Sequence, residues 1–127
     1  MRKVGMNKPV FFFDTYAFFE VIRGNQLYDM YADSPIITTV FNIAELNYGL
    51  KKETDEETAD DYAAKYWNFV VPVLVEDVKK ATSLKRKYKD LSIPDVIGYV
   101  VAERYKLPFL TGDEGFRNLP NVLLVKK

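Results

Sequence analysis

Four acids stand in settings that suit chemistry: Asp14 in PVFFFDTYAFFE, Glu45 in TTVFNIAEL, Asp95 in LSIPDVIGY and Asp113 in LTGDEGF. The chain has no histidine and no cysteine. That removes Ser-His-Asp triads, Cys-His pairs, imidazole or thiolate metal sites and disulfides. Carboxylates remain, with hydroxyls or lysine to help them. A carboxylate set favours hard, oxygen-seeking cations such as Mg2+ or Mn2+.

Each acid also has a plain structural reading. Asp14 follows an apolar run and precedes a helical pattern, where an aspartate caps free N–H groups. Asn42-x-x-Glu45 and Ser92-x-x-Asp95 have capping-box spacing, and Pro94 suits a first helical turn. Thr-Gly-Asp at 111–113 is a common turn, and Thr111-x-x-Glu114 fits a cap on a short helix. Taken singly, capping is the better reading for Asp14, Glu45 and Asp113. Asp95 differs in having the small Gly98 and Ala102 as helical neighbours beside Tyr99, which leaves room around its carboxylate.

The elements decide whether the four meet. PVFFFD (9–14), SPIITTV (34–40), VPVLV (71–75), PFLTG (108–112) and NVLLVK (121–126) read as five short strands. Between them lie helical patterns at about 15–24, 25–33, 41–52, 55–70, 76–89 and 92–106. Alternating strands and helices predict an α/β fold with a mostly parallel sheet covered on both faces. In such a sheet, sites form along the edge where strands end. Asp14 and Asp113 each follow a strand, and Glu45 lies one helical turn beyond another. These three are expected at one edge. Asp95 opens the helix leading into the strand at 108–112, and this reading sets it at the opposite edge.

The bulk properties suit one domain over 1–127, with 1–8 as a loose lead-in. The chain has 127 residues, 48% hydrophobic and 28% charged, with net charge zero. No apolar run reaches the length of a membrane span, so a cytoplasmic location is expected. Charge is segregated: an acidic stretch at 51–62 and a basic one at 78–90. The basic stretch is a solvated helix face or a local contact for phosphates or an acidic partner.

The stretches FFFDTYAFFE, TTVFNIAELNYGL, IPDVIGYVVAERYKLPFLTGDEGF and NVLLV together resemble the PIN-domain ribonucleases, particularly the VapC-type toxins of toxin–antitoxin pairs. The resemblance runs over nearly the whole chain. It implies a three-layer α/β/α sandwich, with Asp14, Glu45, Asp95 and Asp113 as the acids of one Mg2+ or Mn2+ site. Asp14, Asp95 and Asp113 would ligate, and Glu45 would ligate or orient water. Thr111 would fix a carboxylate, with Thr15 and Thr39 in supporting positions. The substrate implied is single-stranded RNA, and the partners are a cognate antitoxin and a second copy of the chain. RNA contacts are expected from Lys85, Arg86, Lys87 and Lys89, with Tyr16 or Tyr99 stacking bases. Two departures are notable: Tyr99 stands where small residues are commoner, and Glu114 follows Asp113.

Other readings fit less well. A haloacid-dehalogenase phosphatase needs Asp-x-Asp, whereas this chain has Asp14-Thr15-Tyr16. A receiver domain needs paired early acids and a late lysine. A catalytically weak PIN-fold module that binds RNA or protein is the principal alternative.

Overall fold

The structure, a computed structural model, describes residues 8–126. Of the lead-in expected at 1–8, all but Lys8 lies outside the described residues. In chain order the elements are β1 (Phe11–Phe13), α1 (Thr15–Arg23), a 3-10 turn (Gln26–Tyr28), α2 (Asp29–Ala32) and β2 (Ile36–Ile37). The helices α3 (Val40–Glu53), α4 (Glu56–Trp67), α5 (Val75–Lys87) and α6 (Ile93–Arg104) follow. β3 (Phe109–Thr111), a second 3-10 turn (Glu114–Phe116) and β4 (Val122–Leu124) complete the fold.

The strands order as β2-β1-β3-β4, and every pairing is parallel. Phe12 aligns with Ile37 on one side and Phe109 on the other. The expected strand at 71–75 does not form; one bridge just before it, Thr38 with Val70, lies beside β2. The pairing goes no further because its partner chain turns into helix at Thr39, the N-cap of α3. The Asp77 carboxylate then accepts from Leu74 N at 2.8 Å and starts α5.

Three consecutive phenylalanines serve two cores because strand side chains alternate. Phe11 and Phe13 join Phe18, Ile43, Leu46 and Tyr66 beneath α1, α3 and α4. Phe12 points the other way, to Phe109, Val96 and Val101 of α6 and Ala81 of α5. The result is the expected α/β/α sandwich. Phe12 and Phe109 stack with centroids 5.4 Å apart, which fixes the central strands from the α6 side. Gly24 ends α1 at φ 79°, a left-handed conformation that glycine adopts without steric cost. Among the described residues, no helix is long and apolar enough to cross a membrane.

Candidate active site

Asp14 occupies the N-cap position of α1, yet its side chain makes no capping hydrogen bond. Its backbone is tied into the sheet, with Asp14 N donating to Leu110 O at 3.1 Å. The side chain is instead held across the sheet edge. Thr111 Oγ1 donates to Asp14 Oδ2 at 2.7 Å, and Asn42 Nδ2 donates to Oδ1 at 3.4 Å. Asp14 is only 2% exposed. Burial, then the Asp95 carboxylate, pushes its pKa up to about 8.

Asn42 organises the neighbouring hydroxyls. It accepts from Thr39 Oγ1 at 2.7 Å and donates to Thr15 Oγ1 at 3.1 Å. Thr15 Oγ1 in turn donates to Glu45 Oε1 at 2.8 Å. Thr39, not Asn42, is the N-cap of α3, accepting from Asn42 N at 3.3 Å. Glu45 therefore completes no capping box. Burial holds its carboxyl above the usual range.

The other two acids cap and still face the cleft. Asp95 makes the reciprocal box with Ser92: Ser92 N donates to Asp95 Oδ2 at 2.8 Å, and Asp95 N donates to Ser92 Oγ at 3.2 Å. Burial raises its pKa against those bonds, with Asp113 adding repulsion. Asp113 caps the second 3-10 turn through Gly115 N at 2.9 Å. Its own N–H donates to Thr111 Oγ1 at 3.1 Å, so one hydroxyl links Asp113 to Asp14.

All four acids line one cleft of about 450 Å³, with Thr15, Tyr16, Phe19, Tyr48, Gly49, Lys52 and Glu53. Asp95 thus lies at the same edge as the others, not the opposite one. The reason is direction: a crossover helix runs antiparallel to the strands, so its first turn sits where strands end. Asp95 is at the third position of α6, in that first turn.

The remaining expectations divide. Thr15, Thr39 and Thr111 all join the network around Asp14. Tyr16 lines the cleft. Tyr99 does not; it is 2% exposed, its hydroxyl bonds Pro120 O, and its ring packs on Phe109 and Phe116. It cannot stack a base in this position. Lys85, Arg86, Lys87 and Lys89 also lie outside the cleft lining. Lys85 is occupied by the Leu91 and Lys89 carbonyls at 2.7 and 3.1 Å, though its charge still reaches Asp95. Glu114 is no fifth acid, because Arg117 and Lys126 hold it and keep its pKa near 2.

Sequence reasoning passed over Asn42 as a network centre, and over Tyr48 and Lys52 as lining. A signal existed for all three. Residues 42, 48, 49 and 52 stand at helical spacing from Glu45 or from each other, so one face of α3 looks into the cleft.

An oxygen-only donor set suits a hard divalent cation. Asp14 is buried among like charges and held only by neutral donors, so a cation would offset the burial and the repulsion that raise its pKa. Among the described residues, no three acids already stand as a closed metal-ligand group. The donors surround one cleft without converging on a point.

The PIN domain family model matches residues 11–122. No curated protein sequence matches. Among solved structures, a toxin–antitoxin complex from Klebsiella pneumoniae aligns with TM-score 0.74 and 19% identity, covering 92% of this chain and 99% of that one. DNA-bound VapBC from Salmonella typhimurium aligns at 0.69 and 15%, covering 93% and 98%. VapBC2 from Rickettsia felis, bound to a promoter DNA fragment, aligns at 0.68 and 14%, covering 92% and 98%. At these identities the likeness is one of fold.

Proposed function

The chain belongs to the PIN-domain family, and on that premise we propose that it is a divalent-metal-dependent endoribonuclease, the toxin of a toxin–antitoxin pair. One observation carries the reading. Asp14 sits at a cap position but does not cap; Thr111 and Asn42 hold it rigidly toward three other acids. Helix capping alone gives no reason for that arrangement.

Bound between the acids, Mg2+ or Mn2+ would supply charge neutralisation, activation of a water and stabilisation of the phosphate. Asp14, Asp95 and Asp113 are its ligands in this reading. Thr111 orients Asp14 and accepts from Asp113 N, so it fixes both sides of the cleft together. Thr15 holds Glu45 where it can orient an attacking water and take up its proton. The raised pKa of Glu45 suits that task. The antitoxin partner is supported by the fold neighbours, which were solved as toxin–antitoxin and VapBC complexes.

The test is cleavage of single-stranded RNA with Mn2+ by the wild type and by Asp14→Asn. The wild type is expected to cut internally and the variant to lose activity. Equal cleavage by both, or by neither, rejects the nuclease and leaves a PIN-fold binding module.

A further inference from the structure

The cleft has two unlike walls. One carries the acids. The other is the α3 face that continues beyond Glu45: Tyr48, Gly49 and Lys52. Residues 45, 48 and 52 share that face at helical spacing. Seven residues of helix place Lys52 about 10 Å along the axis from Glu45, in reach of a phosphate next to the one that reacts.

This wall is made of groups that hold nucleotides without cutting them. Tyr48 is 65% exposed, an unusual cost for an aromatic ring beside a charged cleft. Lys52 Nζ lies over its ring, 4.6 Å from the centroid. Lys52 is the one cation among the described residues lining the cleft. The neighbouring cations are already paired: Lys51 with Asp60 at 3.1 Å, and Arg23 with Glu53 of the cleft rim at 2.8 Å. Between Tyr48 and Lys52, Gly49 keeps the helix surface low. A Cβ there would collide with the Phe19 ring tip, which also lines the cleft.

An acid cluster repels the strand it must cut, so the strand needs an anchor nearby. We propose that α3 provides a nucleotide subsite beside the acids, in which Tyr48 stacks an unpaired base and Lys52 holds the phosphate flanking it. The inference rests on the nuclease reading. It adds a basis for selecting single-stranded over duplex RNA. A paired, stacked base offers no free face to Tyr48, whereas a splayed one does. Any base has such a face, so the subsite selects strandedness more than sequence.

The test separates binding from cutting. A labelled pool of random-sequence single-stranded RNA is titrated by anisotropy into Asp14→Asn protein with Mg2+ present. Tyr48→Ala in that background is expected to weaken binding about 5- to 150-fold, the range for loss of one stacked base. Tyr48→Phe should retain it. Lys52→Ala should flatten the dependence of log K on log salt by about 0.7, one phosphate contact on a single strand, with Lys52→Arg restoring it. A blunt RNA duplex should bind alike with and without Tyr48. Circular dichroism melts confirm folding, which is expected because both side chains are exposed.

Unchanged RNA affinity in Tyr48→Ala overturns the subsite while leaving an active wild-type nuclease standing. Tyr48-dependent binding by a wild type that never cleaves supports the subsite and rejects the nuclease. Equal losses for duplex and single strand overturn the strandedness claim. If the Tyr48 and Lys52 variants bind RNA normally but resist a co-expressed inhibitor protein, the wall is a protein-docking face and the proposal fails.

Discussion

At the scale of single residues, Asp14 and Asn42 define the site. The sign of the Asp14 effect follows from its raised pKa. An aspartate protonated in the folded state up to about 8, but ionised when unfolded above 3.8, stabilises the fold at low pH. That contribution fades as pH climbs through the window between those values and is gone above it. Metal-free wild type should therefore melt progressively lower from pH 5 to pH 8 in EDTA. Asp14→Asn should flatten that slope and melt higher than wild type at pH 8. Mn2+ at a hundredfold excess over its Kd should stabilise the wild type by about 2.7 kcal/mol, roughly 10 °C in Tm, and should bind more tightly as Asp14 ionises. The Asn should erase the metal gain; a Tm unmoved by Mn2+ in the wild type would remove the metal site. Asn42→Ala leaves Thr39, Thr15 and Asp14 short of partners in a buried place. It should cost about 2 kcal/mol in urea denaturation and lower cleavage more than stability alone explains. Asp14, Glu45 and Asp113 were expected at one edge from the strands they follow, whereas Asp95 joined them only through the family resemblance. Asn42 was not legible, because Asn42-x-x-Glu45 also spells a capping box, and only the structure shows Thr39 taking the cap.

At the scale of elements, the sheet edge sets the precision. β3 delivers Thr111 and Asp113 on either side of Gly112, and the Tyr16 ring of α1 lies against that glycine. A methyl at 112 would strike the ring. Gly112→Ala should cost about 1–3 kcal/mol. Adding Tyr16→Ala should recover part of the loss, a coupling that a double-mutant cycle reads directly. Additive losses would show that the ring does not constrain this loop. Helix placement was readable from periodicity, with boundaries within a few residues: α3 at 40–53 against 41–52 expected, α6 at 93–104 against 92–106. The strand at 71–75 was misread because VPVLV has strand composition. Its partner chain turns into α3 at Val40, and the Asp77 carboxylate starts a helix of its own. Tyr99 was misread for a related reason. Its position on α6 was right, but composition does not say which side of a helix the sheet covers.

At the scale of the whole molecule, stability and site are built at different ends of the sandwich. Asp77 is buried at the start of α5, and Arg104 at the end of α6 grips it at 2.9 Å while also reaching Pro72 O at 2.8 Å. Arg104→Ala leaves that carboxylate buried without its cation. A loss of about 2 kcal/mol is expected in denaturant melts, with the Mn2+ shift intact. A lost metal response would mean that the two ends are coupled. The direction of α6 explains both facts. Its first turn brings Asp95 to the cleft, and its last turn holds Asp77 away from it. The sequence placed every layer but set Asp95 at the wrong edge, for want of that direction alone.

The bond from Thr111 to Asp14 joins residues 97 apart, and Tyr28 reaches Val125 O at 2.6 Å over the same separation. During translation, Asp14 leaves the ribosome 97 residues ahead of its partner hydroxyl. β1 likewise waits for β3, its central neighbour. A nascent chain carries Asp14 and Glu45 long before it has the strand that gathers them. The cleft is thus absent from every truncated translation product that stops short of residue 111, and any activity waits for that strand to emerge.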